Sequence, residues 1–235
     1  CIQRSDGVVT NSKDVGREIL QLFDQAPVTR IPFLTNDGPF PAAKSVHGDP
    51  TNRPLHATFL GRFVPQKRPS ELIHRWANVV KQGPLQDAHL HFYGYDSYGE
   101  TLEKMQNAIA EHQLDAHVHN HGKYGLDELD RILNETDFLV LPSTWEGLPL
   151  VLVEAMGRGI PVVSTNAGGS AEFGENNPDV IITSQDLDEY EAGLGRMAQM
   201  IKDKTVQPER LRDWSEQRDG YEVVARQWAG TLGEP

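Results

Sequence analysis

From about residue 55 the chain alternates short apolar, β-branched runs with stretches whose apolar residues recur every three or four positions. The runs 57–60, 89–93, 117–120, 138–141, 161–164 and 180–183 read as strands. Between the first two, residues 70–82 place Leu72, Ile73, Trp76, Ala77 and Val80 on one stripe, with Ser70 as the expected N-cap. Helical patterns follow over 100–114, 126–134, 150–157 and 187–203. Strands that alternate with helices predict an α/β fold: a Rossmann-like, doubly wound parallel sheet of about six strands. The near-continuous apolar run DFLVLP fits a strand covered on both faces.

The flanks read differently. Residues 7–10 and 12–24 form one strand and one helix, with Ser12 as cap, and residues 26–54, rich in Pro, Gly, Asn and Asp, read as a linker or crossover. A lone strand–helix unit ahead of a linker fits the tail of a preceding domain, which divides the chain into 1–25, 26–54, 55–208 and 209–235. The last segment is expected to be a long helix after Pro208, with Trp214, Tyr221, Val224 and Trp228 for burial. No run is long and apolar enough for a membrane-spanning helix.

Charge narrows the partners. The 235 residues carry 34 acidic against 22 basic side chains, a net charge of −12, which disfavours nucleic acid and anionic lipid surfaces. An anionic small ligand must then be held by local donors. The single cysteine, Cys1, rules out an intrachain disulfide and suits a reducing, cytoplasmic compartment. The chain opens on cysteine instead of methionine, as a piece of a longer protein would.

In open parallel sheets ligands bind beyond the carboxyl ends of the strands, so the loops 61–69, 94–99, 122–126, 142–149 and 165–169 are the places to look. The first holds Arg62, Lys67 and Arg68, cations suited to a diphosphate, although a solvated basic loop would look the same. In STWEGLPLVLVEAMGRGIPVV, Glu154 sits in a helix that is otherwise apolar on nearly every side. A carboxylate there is costly to bury unless something hydrogen-bonds it. Glu146 stands in the loop ahead, next to a helix start that offers free N–H groups. The plainer alternative makes one glutamate a cap and the other half of a salt bridge.

Taken together these elements resemble the C-terminal, donor-binding half of the GT-B retaining glycosyltransferases of family 4, the glycosyl transferases group 1. The resemblance covers residues 57–184: Gly61, Arg62 and Lys67 after the first strand, HFYG, the HG before a helix, Glu146 and Glu154 in an E-x7-E spacing, EAMGRGIPVV, and Gly168, Gly169 and Glu172. Four residues separate Arg62 from Lys67 where the family pattern has five, and Gly94-Tyr95-Asp96 departs from the usual acidic turn. The segment after Glu172 also lacks the family's glycine-rich closing turn.

The resemblance implies that Arg62 and Lys67, next to Gly61, hold the donor diphosphate, and that Glu146 binds hydroxyls of the transferred sugar. Backbone of Gly147, Leu148, Pro149, Leu150 and Val151 would meet sugar and phosphate, and Glu154 the ribose hydroxyls. Gly94, Tyr95, His121, Gly122 and Lys123 would frame the base. It further implies transfer with retention of configuration from a nucleotide-diphosphate sugar to a glycan, lipid or small-molecule acceptor. No metal or other cofactor is expected. An N-terminal acceptor domain would be the partner, any membrane contact would come through that half, and the isolated donor half would turn over little. A non-catalytic nucleotide-sugar-binding module and a GT-B sugar-nucleotide epimerase are the rival readings.

Weaker signals remain. His117, His119 and His121 alternate on one strand face, as do His89 and His91, a pattern that suits either a transition metal or partly buried strand residues. The glycines at 193 and 195 spell a loose dinucleotide fingerprint inside a helical pattern, and Asp186-Leu187-Asp188 falls at a helix start, where acidic residues cap. Asn134 opens a glycosylation sequon unsuited to a cytoplasmic protein.

Overall fold

A computed structural model describes residues 7–33, 38–43, 49–81, 83–96 and 99–232. Residues 1–6, 34–37, 44–48, Gln82, 97–98 and 233–235 lie outside the described residues, including parts of the expected linker and of the loop 94–99.

The main sheet holds six parallel strands, β3 (His56–Leu60), β4 (His89–Tyr93), β5 (Val118–Gly122), β6 (Phe138–Leu141), β7 (Val162–Thr165) and β8 (Val180–Thr183), in the order β5-β4-β3-β6-β7-β8. The chain winds outward from β3 in one direction, then returns to β6 beside it and winds the other way. That makes β3/β6 the topological switch point, where a doubly wound sheet opens a crevice at its carboxyl edge. The predicted strands lie within two residues of the observed ones.

Helices α2 (Pro69–Val79), α3 (Glu100–His112) and α6 (Leu187–Lys202) pack together, and α5 (Leu150–Met156) packs against α7 (Pro208–Asp219). The expected stripe of α2 is buried: Leu72, Ile73, Trp76 and Ala77 face a core that contains Phe59, Phe63 and Phe92. Such burial stabilises by about 25 cal/mol per Å² of apolar surface. α4 (Leu126–Asn134) matches its predicted span.

Several local expectations change. Ser70 does not cap α2; the helix starts at Pro69 after Arg68, whose φ of 50° turns the chain, and the Ser70 hydroxyl bonds Glu71 instead. Ser12 does cap α1 (Lys13–Leu22), accepting from the Val15 amide. The Pro-rich stretch after α1 contains a strand, β2 (Val28–Arg30), parallel to β1 (Val8–Thr10) in a sheet of two strands. The expected terminal helix is two, α7 and α8 (Tyr221–Leu232), because Gly220 takes an extended ψ of 153° and ends α7. There a Cβ would meet the Glu216 carbonyl at 2.3 Å.

The N-terminal β1–α1–β2 unit is tied to the sheet domain by buried charge. Glu172 is 3% exposed and pairs with Arg30 at 3.1 Å and Arg218 at 2.9 Å. It also accepts from the Lys13 amide. Asp219 bonds the same two arginines, and Arg218 lies over the rings of Phe173 and Trp214. Glu172 is thus placed as a structural anchor. Among the described residues no helix is long and apolar enough to cross a membrane.

Candidate functional site

The loop after β3 and the loop after β6 meet across the switch point. Lys67 ends a short 3-10 turn (Pro65–Lys67), and its Nζ donates to Glu146 Oε1 at 2.7 Å. Both side chains are largely covered, 14% and 10% exposed. Ser143 Oγ donates to the same oxygen at 2.7 Å. Among the described residues no donor reaches Glu146 Oε2, and the ammonium of Lys67 keeps further N–H groups for other acceptors.

Backbone bonds lock the loops around this pair. The Thr144 amide bonds the Gln66 carbonyl at 2.8 Å, and the Gln66 side chain reaches the Trp145 carbonyl. Gly61 bonds Tyr93, Phe63 bonds Tyr95, and Gly94 bonds the Gly122 carbonyl at 2.7 Å, so the ends of β3, β4 and β5 form one continuous rim. Gly94 is required there: its φ is 159°, and a Cβ would fall 1.8 Å from the Gly61 carbonyl oxygen. Gly168, at φ 52°, is pressed against the loop of the site, where a Cβ would lie 2.1 Å from the Glu146 carbonyl oxygen. The Gly168-Gly169 pair therefore shapes the backbone around Glu146.

Arg62 is exposed, and no hydrogen bond or ion pair holds it among the described residues. Lys123 stands over the exposed Tyr95 ring, 4.9 Å from its centroid, at the outer end of the rim. On the other side, Leu150 is exposed and Val151 half-buried at the start of α5, whose first N–H groups have no intrahelical acceptor. Leu148 and Pro149 are buried and Gly147 is half-buried.

Glu154, on α5, has its carboxyl pushed up to about 7 by burial, with Arg158 opposing the shift. Among the described residues nothing donates a hydrogen bond to that carboxyl, because Arg158 is held by Asp130 and by the Glu154 carbonyl. Nearby Tyr124 has its phenol raised to about 12 by burial and by the Glu154 charge.

His121, exposed near the end of β5, packs against its neighbours on the sheet. Its ring stacks on Tyr93 with centroids 4.3 Å apart, and Nε2 lies 3.0 Å from His91 Nδ1. His91 Nε2 in turn lies 2.9 Å from His56 Nδ1, and His89 pairs with His119 at 3.0 Å. The expected one-face alternation of imidazoles is real and extends to His56, but the nitrogens meet in pairs across the strands.

The structure thus joins Lys67 to Glu146, links Gly61, Gly94 and Gly122, and stacks Lys123 on Tyr95. It sets Glu154 beside Tyr124. Sequence reading overlooked Ser143 and Tyr124; a serine three residues before a loop glutamate was the available signal for the first.

The doubly wound parallel sheet, with its Lys67–Glu146 pair at the switch point, is a Rossmann-like domain that matches those of GT-B proteins. The chain belongs to the family described as glycosyl transferases group 1, whose family model matches residues 43–218. Among curated relatives, the amylovoran biosynthesis glycosyltransferase AmsK of Erwinia amylovora is 30% identical over 135 residues, 55% of this chain and 32% of that protein. The MMP alpha-(1->4)-mannosyltransferase of Mycolicibacterium hassiacum is 27% identical over 209 residues, 83% of this chain and 49% of that one. The chain therefore spans about a third to a half of these relatives. HepE of Anabaena, solved in complex with UDP, superposes with a TM-score of 0.83 at 20% identity, over 98% of this chain and 64% of that one.

Proposed function

We propose that this chain is the donor-binding half of a retaining glycosyltransferase that moves a sugar from a nucleotide diphosphate to a glycan, lipid or small-molecule acceptor. The observation that carries the reading is the Lys67–Glu146 pair at the switch point, with the exposed Arg62 in the same loop as Lys67, its guanidinium without a partner among the described residues. The Arg62 charge and the N–H groups that Lys67 keeps beyond its bond to Glu146 hold a diphosphate and stabilise the departing nucleotide, the task a metal performs in other transferases. Glu146 Oε2 accepts from hydroxyls of the transferred sugar while Oε1 stays fixed by Lys67 and Ser143. Glu154 accepts from the ribose, and Tyr95 and Lys123 border the base. The acceptor half belongs to a further domain, in keeping with the share of the relatives' length that this chain covers. The reaction then takes place between the two halves, in the cytoplasm or at a membrane's cytosolic face.

The test is calorimetric titration of the chain with UDP, GDP and ADP and their hexose conjugates. One nucleotide is expected to bind between micromolar and sub-millimolar. Loss of a charge-assisted contact in Arg62→Ala or Lys67→Met should cost about 1.5–3 kcal/mol, roughly one to two decades in affinity. Absence of binding by every nucleotide, or equal binding in both variants, overturns the assignment.

A further inference from the structure

Away from the donor loops, two packed helices bring together three metal-ligating side chains that the proposed reaction does not use. His74 projects from α2, and Glu111 and His112 close the last turn of α3. Their ligand atoms all lie within 4.8 Å of one another, and among the described residues no other three His, Cys, Asp or Glu side chains do so. His74 Nδ1 and His112 Nε2 are 2.8 Å apart, with the rings nearly perpendicular at 86°. The two nitrogens face each other as a hydrogen-bonded pair, which an ion held between them would replace, with the Glu111 carboxylate alongside.

We propose that His74, Glu111 and His112 form a binding site for a divalent transition metal ion of the zinc class, which clamps α2 to α3. Two imidazoles and a carboxylate with an open fourth position are a common donor set for zinc, at bond lengths of about 2.0–2.2 Å. Ligand atoms around a tetrahedral ion then stand about 3.4 Å apart. The two nitrogens need to open by about 0.6 Å and any ligand atom at the 4.8 Å limit to close by about 1.4 Å, shifts within reach of the exposed His74 and Glu111 side chains. The backbones beneath them are fixed, since Ile73, Trp76 and Ala77 of α2 and Met105 and Ala108 of α3 are buried. An adjoining groove, lined by Ser70, Glu71, Lys104 and Asn107, leaves room for water as the fourth ligand. In that groove two carboxylates, Glu71 and Glu111, outnumber the single lysine.

The imidazole row on the β3–β4–β5 face is the competing site. There the nitrogens meet two at a time, and His91 spends both of its nitrogens on neighbours.

The test is titration of the metal-stripped chain with Zn²⁺ by calorimetry, and with Co²⁺ by visible absorption. One ion is expected, with the bands of a tetrahedral or five-coordinate cobalt and a zinc-dependent rise in melting temperature. His74→Ala should weaken binding about tenfold or more and remove the cobalt bands, with Glu111→Gln intermediate and His91→Ala unchanged. Circular dichroism of each variant confirms the fold. Absence of zinc binding, or binding that survives His74→Ala, overturns the proposal, and loss in His91→Ala alone assigns the ion to the sheet face. Nucleotide binding is a separate readout, so failure here leaves the donor site untouched.

Discussion

Glu154 supplies the sharpest test, because its burial makes a stability prediction opposite in sign to its functional one. Its carboxyl is raised from 4.5 to about 7 in the folded chain, mainly by burial. Between those values the folded chain holds a proton that the unfolded chain has released. The stability contribution is therefore complete below about pH 4.5 and declines as pH rises, levelling off above about pH 7. A shift from 4.5 to about 7 amounts to about 3 kcal/mol, at 1.36 kcal/mol per pH unit. Replacing the carboxyl by an uncharged group of the same shape removes that cost. Glu154→Gln should gain about 1 kcal/mol over wild type near pH 5.5 and about 3 kcal/mol near pH 8, measured by urea unfolding at each pH. For a domain of this size the larger gain is roughly 6–12 °C in melting temperature. The same variant should bind the nucleotide sugar more weakly at pH 8, since the amide no longer offers a charged acceptor to the ribose. If Glu154→Gln is no more stable at pH 8 than at pH 5.5 relative to wild type, the burial argument fails. If it is more stable yet binds donor normally, Glu154 is a strained residue without a ligand.

Two further outcomes follow from particular contacts. Gly94→Ala should fail to fold or lose roughly 3 kcal/mol or more by urea denaturation, because its Cβ would overlap the Gly61 carbonyl at 1.8 Å, whereas an alanine at Gly195, with open space around it, should cost little. Acid should also weaken the fold through the imidazole row. Burial, reinforced by His56, His119, His121 and His89, lowers His91 from 6.5 to about 3, and burial likewise lowers His89, His119 and His121. Their contribution is complete above about pH 6.5 and is lost as pH falls toward the folded values. The His91 ring is partly exposed and screened, so its share near pH 4 is about 1–2 kcal/mol, and His91→Asn should flatten the unfolding-versus-pH curve by that amount. An unchanged slope would refute this.

Much of the fold was legible because each element of a doubly wound sheet states its own period. The stripe Leu72–Ile73–Trp76–Ala77 and the run 138–141 require no knowledge of the rest of the chain. The misreadings share a different cause. β2 is three residues long in a Pro-rich stretch and is held by pairing with β1, which no local pattern reports. The break at Gly220 falls inside a continuous helical pattern and depends on Asp219 turning inward to Arg30 and Arg218. Glu154 was legible as an anomaly, because a lone carboxylate among apolar neighbours announces itself. That Lys67 would bond Glu146, across 79 positions, was not legible from spacing, although the family resemblance put both at the donor. His74 and His112 stand 38 positions apart on two helices, and only the packing of α2 on α3 brings them together. Histidines alternating on a strand attracted attention instead, because period two is visible in a sequence and helix-to-helix register is not.

The Lys67–Glu146 pair is poorly explained as a stabilising contact. Taking two charges this far out of water offsets most of their attraction, so a buried pair is weak evidence for stability. Here it also sits where stability is cheap to obtain, above a core built on Phe59, Phe92 and Phe138. The surrounding chain nevertheless goes to some length to hold it: Ser143 fixes the carboxylate, the Gln66–Thr144 bonds join the two loops, and the Gly168 turn presses on the Glu146 backbone. Each of these fixes orientation more than it adds cohesion. Such fixing is what a site gains from, because donors and acceptors already aimed at a ligand's charges need no reorganisation when it arrives. Arg62, without a partner among the described residues, and Glu146, whose Oε2 has none there either, are then two parts of one incomplete arrangement. A ligand that completes both carries an anionic group for the guanidinium and hydroxyls for the carboxylate, as the proposed nucleotide-diphosphate sugar does.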